Sequence, residues 1–155
     1  MNWYKKASNK KMFIMRGLPG SGKSTKAKEL GNGGQVFASD DFFMVNGEYQ
    51  YDPNMIDYAH TWNKWRVLDA IEKGVSPIVV DNTNVQSWQP KPYAEAAVKA
   101  GYNVEVIEPD SPWAFDVDEL SIKNTHKVPH DVIQEMKDKW EQNITVNDIL
   151  KSEKE

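Results

Sequence analysis

The 155 residues contain no cysteine, which excludes a disulfide scaffold, thiolate metal ligands and a cysteine nucleophile. A reducing compartment is thereby permitted. Arginine is almost missing as well: of 19 basic residues only Arg16 and Arg66 are arginines, and 23 acidic residues bring the net charge to −4. That balance disfavours a general electrostatic nucleic-acid binder and leaves only local basic clusters for such a role. No long apolar run is present. The longest, Met12 to Met15, is far short of the roughly 20 residues of a membrane helix, and Met1 to Lys11 lacks the apolar centre of a signal peptide. A cytoplasmic chain is expected, with the nucleus also open to it and no membrane partner. Repeats, low-complexity segments and Pro/Gly/Ser linkers are absent too. One domain over 1–155 is therefore expected, with 1–10 as a flank and 151–155 as a frayed tail. At this length, and with 39% hydrophobic residues, roughly 70% of the unfolded surface can be buried without metal or disulfide.

Short apolar runs alternate with helical periodicity. Met12 to Arg16 reads as a strand, and Lys23 to Leu30 as a helix stopped by Gly31. Val36 to Ser39 is a second strand, and Phe43 to Tyr51 folds back at Asn46-Gly47, a hairpin dipeptide. Asn54 to Lys73 is a long helix with Ile56, Ala59, Asn63, Val67, Ala70 and Ile71 in one stripe and Gly74 at its stop. Pro77 to Asp81 is a continuous apolar run closed by a carboxylate, the pattern of a parallel strand buried on both faces. Trp88 to Ala100 is a helix whose first turn tolerates Pro90 and Pro92, and Val104 to Ile107 is another strand. Val117 to Asn124 and Pro129 to Asn143 follow as helices. The alternation predicts an α/β fold: a mostly parallel sheet in a three-layer α/β/α arrangement.

Between the first strand and the first helix, residues Gly17, Leu18, Pro19, Gly20, Ser21, Gly22, Lys23 and Ser24 match G-x-x-x-x-G-K-[ST] in full. Such a match arises by chance in about one chain of this length in two hundred. Glycines let successive backbone N–H groups turn toward phosphates, and the following helix adds its positive N-terminal end. The segment Gly17 to Thr25 thus predicts a P-loop NTPase fold binding ATP. Lys23 reaches the β- and γ-phosphates, and the Ser24 hydroxyl is a hard ligand for Mg²⁺.

The same chemistry needs a carboxylate near the cation. Asp81, ending the PIVVD run, is placed for that; the alternative is a cap for Asn82-Thr83-Asn84. Asp40 and Asp41 follow the second strand at the carboxyl edge of the sheet, where open α/β sheets bind ligands. One of them could take a proton from an attacking hydroxyl, or Ser39 and Asp40 merely cap the next segment. Trp62 and Trp65 are expected to bury against the sheet. Lys5, Lys6, Lys10 and Lys11 read as a solvated basic flank. His126 and His130 lack the further ligands of a zinc site.

Taken together, GLPGSGKST (Gly17 to Thr25), SDDFF (Ser39 to Phe43) and VVDNTN (Val79 to Asn84) resemble the polynucleotide-kinase-like P-loop kinases. The likeness is to small stand-alone AAA-type members similar to the kinase domain of ubiquitin-ligase-binding protein homologues. It continues through AHTWNKWR (Ala59 to Arg66), KPYAEAA (Lys91 to Ala97), EPD (Glu108 to Asp110) and Lys123 to Glu141, covering nearly the whole chain. The resemblance implies a short helical lid within 111–128, whose Lys123, Asn124 and His126 close over the triphosphate. It implies Asp40 as the group activating the acceptor hydroxyl, with Lys23 and Lys123 as its catalytic cations and Asp81 as the acidic residue of the second nucleotide motif. Asp41, Phe43, His60, Asn63, Arg66, Asn82, Thr83, Asn84, Asn124 and His126 are then candidates for contact with the acceptor.

Two features depart from that pattern. The lid offers Lys123 where arginine is common, and lysine cannot form a planar bidentate fork. Phe43 stands where the phage polynucleotide kinase holds the acceptor's phosphate with arginine. The expected activity is transfer of the γ-phosphoryl group to a hydroxyl, foremost the 5′-hydroxyl of a polynucleotide or nucleotide-like acceptor. The alternatives are a small-metabolite kinase and an ATP-binding interaction module with little turnover.

Overall fold

The computed structural model describes residues 9–154; Lys5, Lys6 and the rest of segment 1–8 lie outside the described residues, as does Glu155. Four parallel strands form the sheet: β1 (Lys11–Met15), β2 (Gln35–Phe37), β5 (Ile78–Asp81) and β6 (Asn103–Ile107), in the order β2-β5-β1-β6. The hairpin strands β3 (Met44–Val45) and β4 (Glu48–Tyr49) lie apart from it and pair antiparallel. Asn46 and Gly47 both have positive φ, 52° and 82°, as a two-residue turn matched to strand twist requires.

Helices cover both faces, because alternate residues of the buried strands point opposite ways. Met12 and Ile14 of β1 pack with Ile78 and Val80 of β5 against α2 (Ile56–Glu72), α3 (Lys91–Lys99) and α6 (Val146–Lys151). Phe13, Met15 and Val79 pack on the opposite face against Ala27 of α1 (Lys23–Leu30). A third apolar cluster joins Leu18 to Val117 and Leu120 of α4 (Val117–Lys123) and Ile133 of α5 (His130–Asp138). No helix among the described residues is long and apolar enough to cross a membrane.

Several boundaries differ from the sequence reading. The second strand ends at Phe37, and Ser39–Phe43 forms a 3-10 turn. Helix α3 starts at Lys91 rather than Trp88, with Pro90 at its N-cap, a position where the missing N–H costs no intrahelical bond. Helix α5 stops at Asp138 instead of reaching Asn143. Lys151, assigned to a frayed tail, closes α6, and Lys91 Nζ donates to the Ser152 carbonyl at 2.7 Å. In the expected flank, the Lys10 carbonyl accepts from the Asn103 N–H at 2.9 Å. Trp65 is 66% exposed, contrary to its expected burial. Ala59, Asn63, Val67 and Ala70 fill the buried stripe of α2, so Trp65 falls outside it.

In the parallel register Met15 lies opposite Asp81. The loops leaving β1 and β5 therefore emerge side by side at the carboxyl edge, the position that open α/β sheets use for ligands.

Candidate active site

The loop after β1 is shaped by backbone demands. Gly20 and Gly22 adopt positive φ, 84° and 93°, conformations an L side chain resists. A Cβ on Gly20 would sit 2.8 Å from the Leu120 carbonyl oxygen, and one on Gly17 2.7 Å from Ser21 Oγ. Gly22 caps α1 without a side-chain hydrogen bond, and no acidic residue occupies the first turn. The helix N–H groups are thus left for an anion, and the end of the dipole is not neutralised. The Ser21 hydroxyl is buried without a hydrogen-bond partner. These features fit a bound phosphate group.

The loop is also braced from outside. The Trp113 indole N–H donates to the Gly20 carbonyl at 3.0 Å, and the Ser111 hydroxyl to the Ser21 carbonyl at 2.8 Å. Neither residue is marked in the sequence by any motif. Gly20→Ala should force the loop away from α4 and cost at least about 1 kcal/mol from its φ alone. The expected readout is a lower melting temperature together with weaker ATP binding by calorimetry.

Lys23 Nζ meets Asp81 Oδ1 at 2.6 Å, and the Ser24 hydroxyl donates to Asp81 Oδ2 at 3.0 Å. Ser24 and Asp81 thus present hard oxygens side by side, a donor set that suits Mg²⁺. A cavity of about 230 Å³ runs along the loop past Pro19, Lys23, Ser24 and Thr25 to Asp40 and Lys123. Lys123 Nζ lies 4.5 Å from the Trp113 ring centroid and 4.0 Å from Glu119 Oε2.

Asp40 lies across this space from Lys23. Its Oδ1 accepts from the Tyr49 hydroxyl at 3.2 Å, and its Oδ2 is 3.2 Å from His126 Nδ1. The His126 ring stacks on Tyr49 with centroids 4.0 Å apart and planes 7° from parallel. Burial pushes the Asp40 carboxyl up, but His126, the Tyr49 hydroxyl and the Lys23 charge together hold it below the usual carboxylate range. Burial and the Asp40 carboxylate push the Tyr49 hydroxyl well up, so it stays a donor. A cavity of about 390 Å³ extends from Asp40 past Tyr49, Tyr51, His60 and Asn82.

The remaining candidates divide into those that hold Asp40 and those that hold the scaffold. Asn82 Oδ1 accepts from the Ser39 N–H at 2.9 Å, and His60 Nδ1 lies 2.9 Å from the Ser39 hydroxyl. Both orient the residue before Asp40. Burial pushes His60 down, against the pull of Asp40 and Asp57, which favours the neutral ring beside Ser39. Arg66 donates to the Ala38 carbonyl at 3.1 Å and pairs with Asp41 at 3.3 Å while stacking on Trp62 at 3.8 Å. Asp41 and Arg66 thus tie the 3-10 turn to α2. The Thr83 carbonyl accepts from the Gly17 N–H at 3.0 Å.

Four of the expected acceptor contacts are engaged by the scaffold, two of them, Asn84 and Asn124, while bordering a cavity. Phe43 is buried, edge-on to Phe42, Tyr49 and Tyr51, so its ring is core to the hairpin. Asn63 is fully buried, donating to Tyr93 Oη at 3.2 Å and accepting from Arg66 at 2.7 Å. Asn84 is buried at positive φ and donates to the Met15 carbonyl at 2.8 Å. Asn124 donates to the Leu120 and Val128 carbonyls and accepts from the Val128 N–H at 2.6 Å. Its amide shapes the turn after α4, although the residue borders the loop cavity. His130 pairs with Asp118 at 2.7 Å, whereas His126 pairs with Asp40.

Sequence reading overlooked Arg16. It is fully buried, with Nε on the Asn84 carbonyl and Nη2 on the Val85 and Glu141 carbonyls, each at 2.8 Å. Nη1 lies 3.5 Å from Glu108, and the guanidinium stacks on Trp140 at 4.0 Å. A charged residue ending an apolar strand was the available signal.

A family profile described as an AAA domain matches residues 12–143. Human NEDD4-binding protein 2 is 40% identical over 144 residues; the match covers 91% of this chain but only 8% of that protein's length. A solved chain of the Pnkp1/Rnl/Hen1 RNA repair complex superposes with a TM-score of 0.65 at 20% identity, over 87% of this chain and 46% of the other. A gluconokinase from Sinorhizobium meliloti 1021 superposes with a TM-score of 0.52 at 15% identity, over 90% and 87% of the two chains. The likeness to these two structures is one of fold.

Proposed function

Because the chain belongs to the AAA domain family, we propose that it is an ATP- and Mg²⁺-dependent kinase moving the γ-phosphoryl group to a hydroxyl, the 5′-hydroxyl of a polynucleotide or nucleotide. One observation carries this reading. Lys23 and Asp40 border both the loop cavity and the cavity beyond it, so a triphosphate on the loop points its terminal group at a carboxylate. Phosphoryl transfer needs little beyond positioning and charge stabilisation, with a carboxylate to take the acceptor's proton. A module that only binds ATP has no use for Asp40 there.

The loop amides and Lys23 bind the triphosphate, Lys23 leaving Asp81 for the phosphates. When bound, Mg²⁺ held by Ser24 and Asp81 supplies neutralisation of charge on the β- and γ-phosphates. Asp40, ionised, orients the acceptor hydroxyl and takes its proton as the new O–P bond forms and the bond to the leaving ADP breaks. Lys123 faces the transferring group from the lid, and closure by α4 excludes water as a competing acceptor. Tyr51, half-exposed beside Tyr49 and bordering the cavity at Asp40, offers an aromatic ring that suits a nucleobase.

Incubation with γ-labelled ATP and 5′-hydroxyl oligonucleotides should label the oligonucleotide; label passing only to small polyols would favour the metabolite alternative. Lys23→Ala should weaken both ATP binding and transfer. Because Asp40 stays ionised below the usual carboxylate range, kcat/KM should remain level from pH 7 down to about pH 5. Removing its partner in His126→Ala should raise the Asp40 pKa and move the acid limb to higher pH. An unmoved limb would remove His126 from that role.

A further inference from the structure

A third cavity, of about 420 Å³, opens beside the one at Asp40 and shares His60, Asn82, Thr83 and Gln89 with it. The transfer chemistry leaves it unused, although it shares its walls with the cavity that Asp40 borders. Its outer wall is the half-buried Trp88. The indole N–H donates to Gln86 Oε1 at 3.3 Å, which sets the ring plane, and Lys154 Nζ lies over the ring, 5.1 Å from its centroid, so a base stacking there takes the place of the ammonium or the other face. Lys64 and Lys154 border the space against the single carboxylate of Asp57, making it locally basic in a chain of net charge −4.

A flat aromatic face, two cations and continuity with the acceptor cavity are the elements by which single strands are held: bases stack, and ammonium groups track the phosphates. We propose that this cavity takes the second nucleotide of a single-stranded polynucleotide acceptor, with its base against Trp88 and the intervening phosphodiester beside Lys64. A small metabolite would end before it. The inference rests on the kinase reading and deepens it, since it makes chain length, and not the terminal nucleoside alone, the basis of acceptor choice.

The test compares a 5′-hydroxyl decanucleotide with a nucleoside 3′-monophosphate as acceptors of label from γ-labelled ATP. The wild-type protein should favour the decamer in kcat/KM by about 10-fold or more. Trp88→Ala should remove most of that preference through KM, and Trp88→Phe should restore it. Lys64→Ala, at an exposed position, should raise the decamer KM and flatten its dependence on salt. Equal use of both acceptors by the wild type, or a preference unchanged in Trp88→Ala, would overturn the subsite and leave the kinase reading intact. Fluorescence anisotropy of a labelled decamer, read without ATP, separates the two failures. If neither acceptor is labelled, the kinase reading falls, while decamer binding that is weakened in Lys64→Ala still supports the subsite and absent binding sinks it.

Discussion

Asp40→Asn should slow phosphoryl transfer by about 10²–10⁴-fold, the usual contribution of a positioned general base, while ATP affinity stays within a few-fold of the wild type. Asparagine keeps the shape and can still accept from Tyr49, which donates to Oδ1 at 3.2 Å, but it cannot take a proton. The nucleotide loop belongs to a different strand and is braced by Ser111 and Trp113, so it should be unaffected. Single-turnover transfer and calorimetric ATP titration, run side by side, separate the two effects. Transfer at the wild-type rate would show that Asp40 only holds the 3-10 turn. Loss of ATP binding in equal measure would show that the substitution had disturbed the loop.

The second large effect is on stability. Arg16→Leu should destabilise the fold by about 3–5 kcal/mol, because it leaves buried acceptors without their charged donor. The carbonyls of Asn84, Val85 and Glu141 each lose a 2.8 Å bond, and Trp140 loses the guanidinium stacked on it. For a domain of this size the melting temperature should fall by about 10 °C. Arg16→Lys retains the charge but not the fork that serves three carbonyls at once, and should lie between. Thermal unfolding followed by near-ultraviolet circular dichroism measures both. A fall of only a degree or two in Arg16→Leu would mean that water replaces the guanidinium.

The sheet and the nucleotide loop were legible because their signals are local. PIVVD reads as a buried strand from five residues, and the glycine-lysine-serine pattern specifies its own backbone path. Helix α6 was missed: it is six residues long, and its signal is the reciprocal capping of Thr145 and Asp148, a pattern usually written with Glu or Gln in place of Asp. Asn63, Asn84 and Asn124 were read toward the acceptor because polar residues near a motif suggest ligands. For Asn84 the partner is one that only the folded chain brings near, the Met15 carbonyl 69 positions away, whereas Asn124 serves carbonyls and an N–H four residues to either side. Phe43 follows the same logic in reverse, since its burial depends on aromatic rings from the hairpin. The stacking of His126 on Tyr49 joins the turn after α4 to the β3-β4 hairpin, 77 positions apart, which no spacing encodes.

Trp113 and Ser111 hold two carbonyls of the nucleotide loop from behind, and this bears on how fast a nucleotide is captured. A cradle already in its working shape has little disorder left to lose on capture, so association should be governed by diffusion and orientation rather than by a slow folding step. Stopped-flow traces with a fluorescent ATP analogue should then show a single phase whose rate rises linearly with concentration, and Trp113→Ala should introduce a plateau.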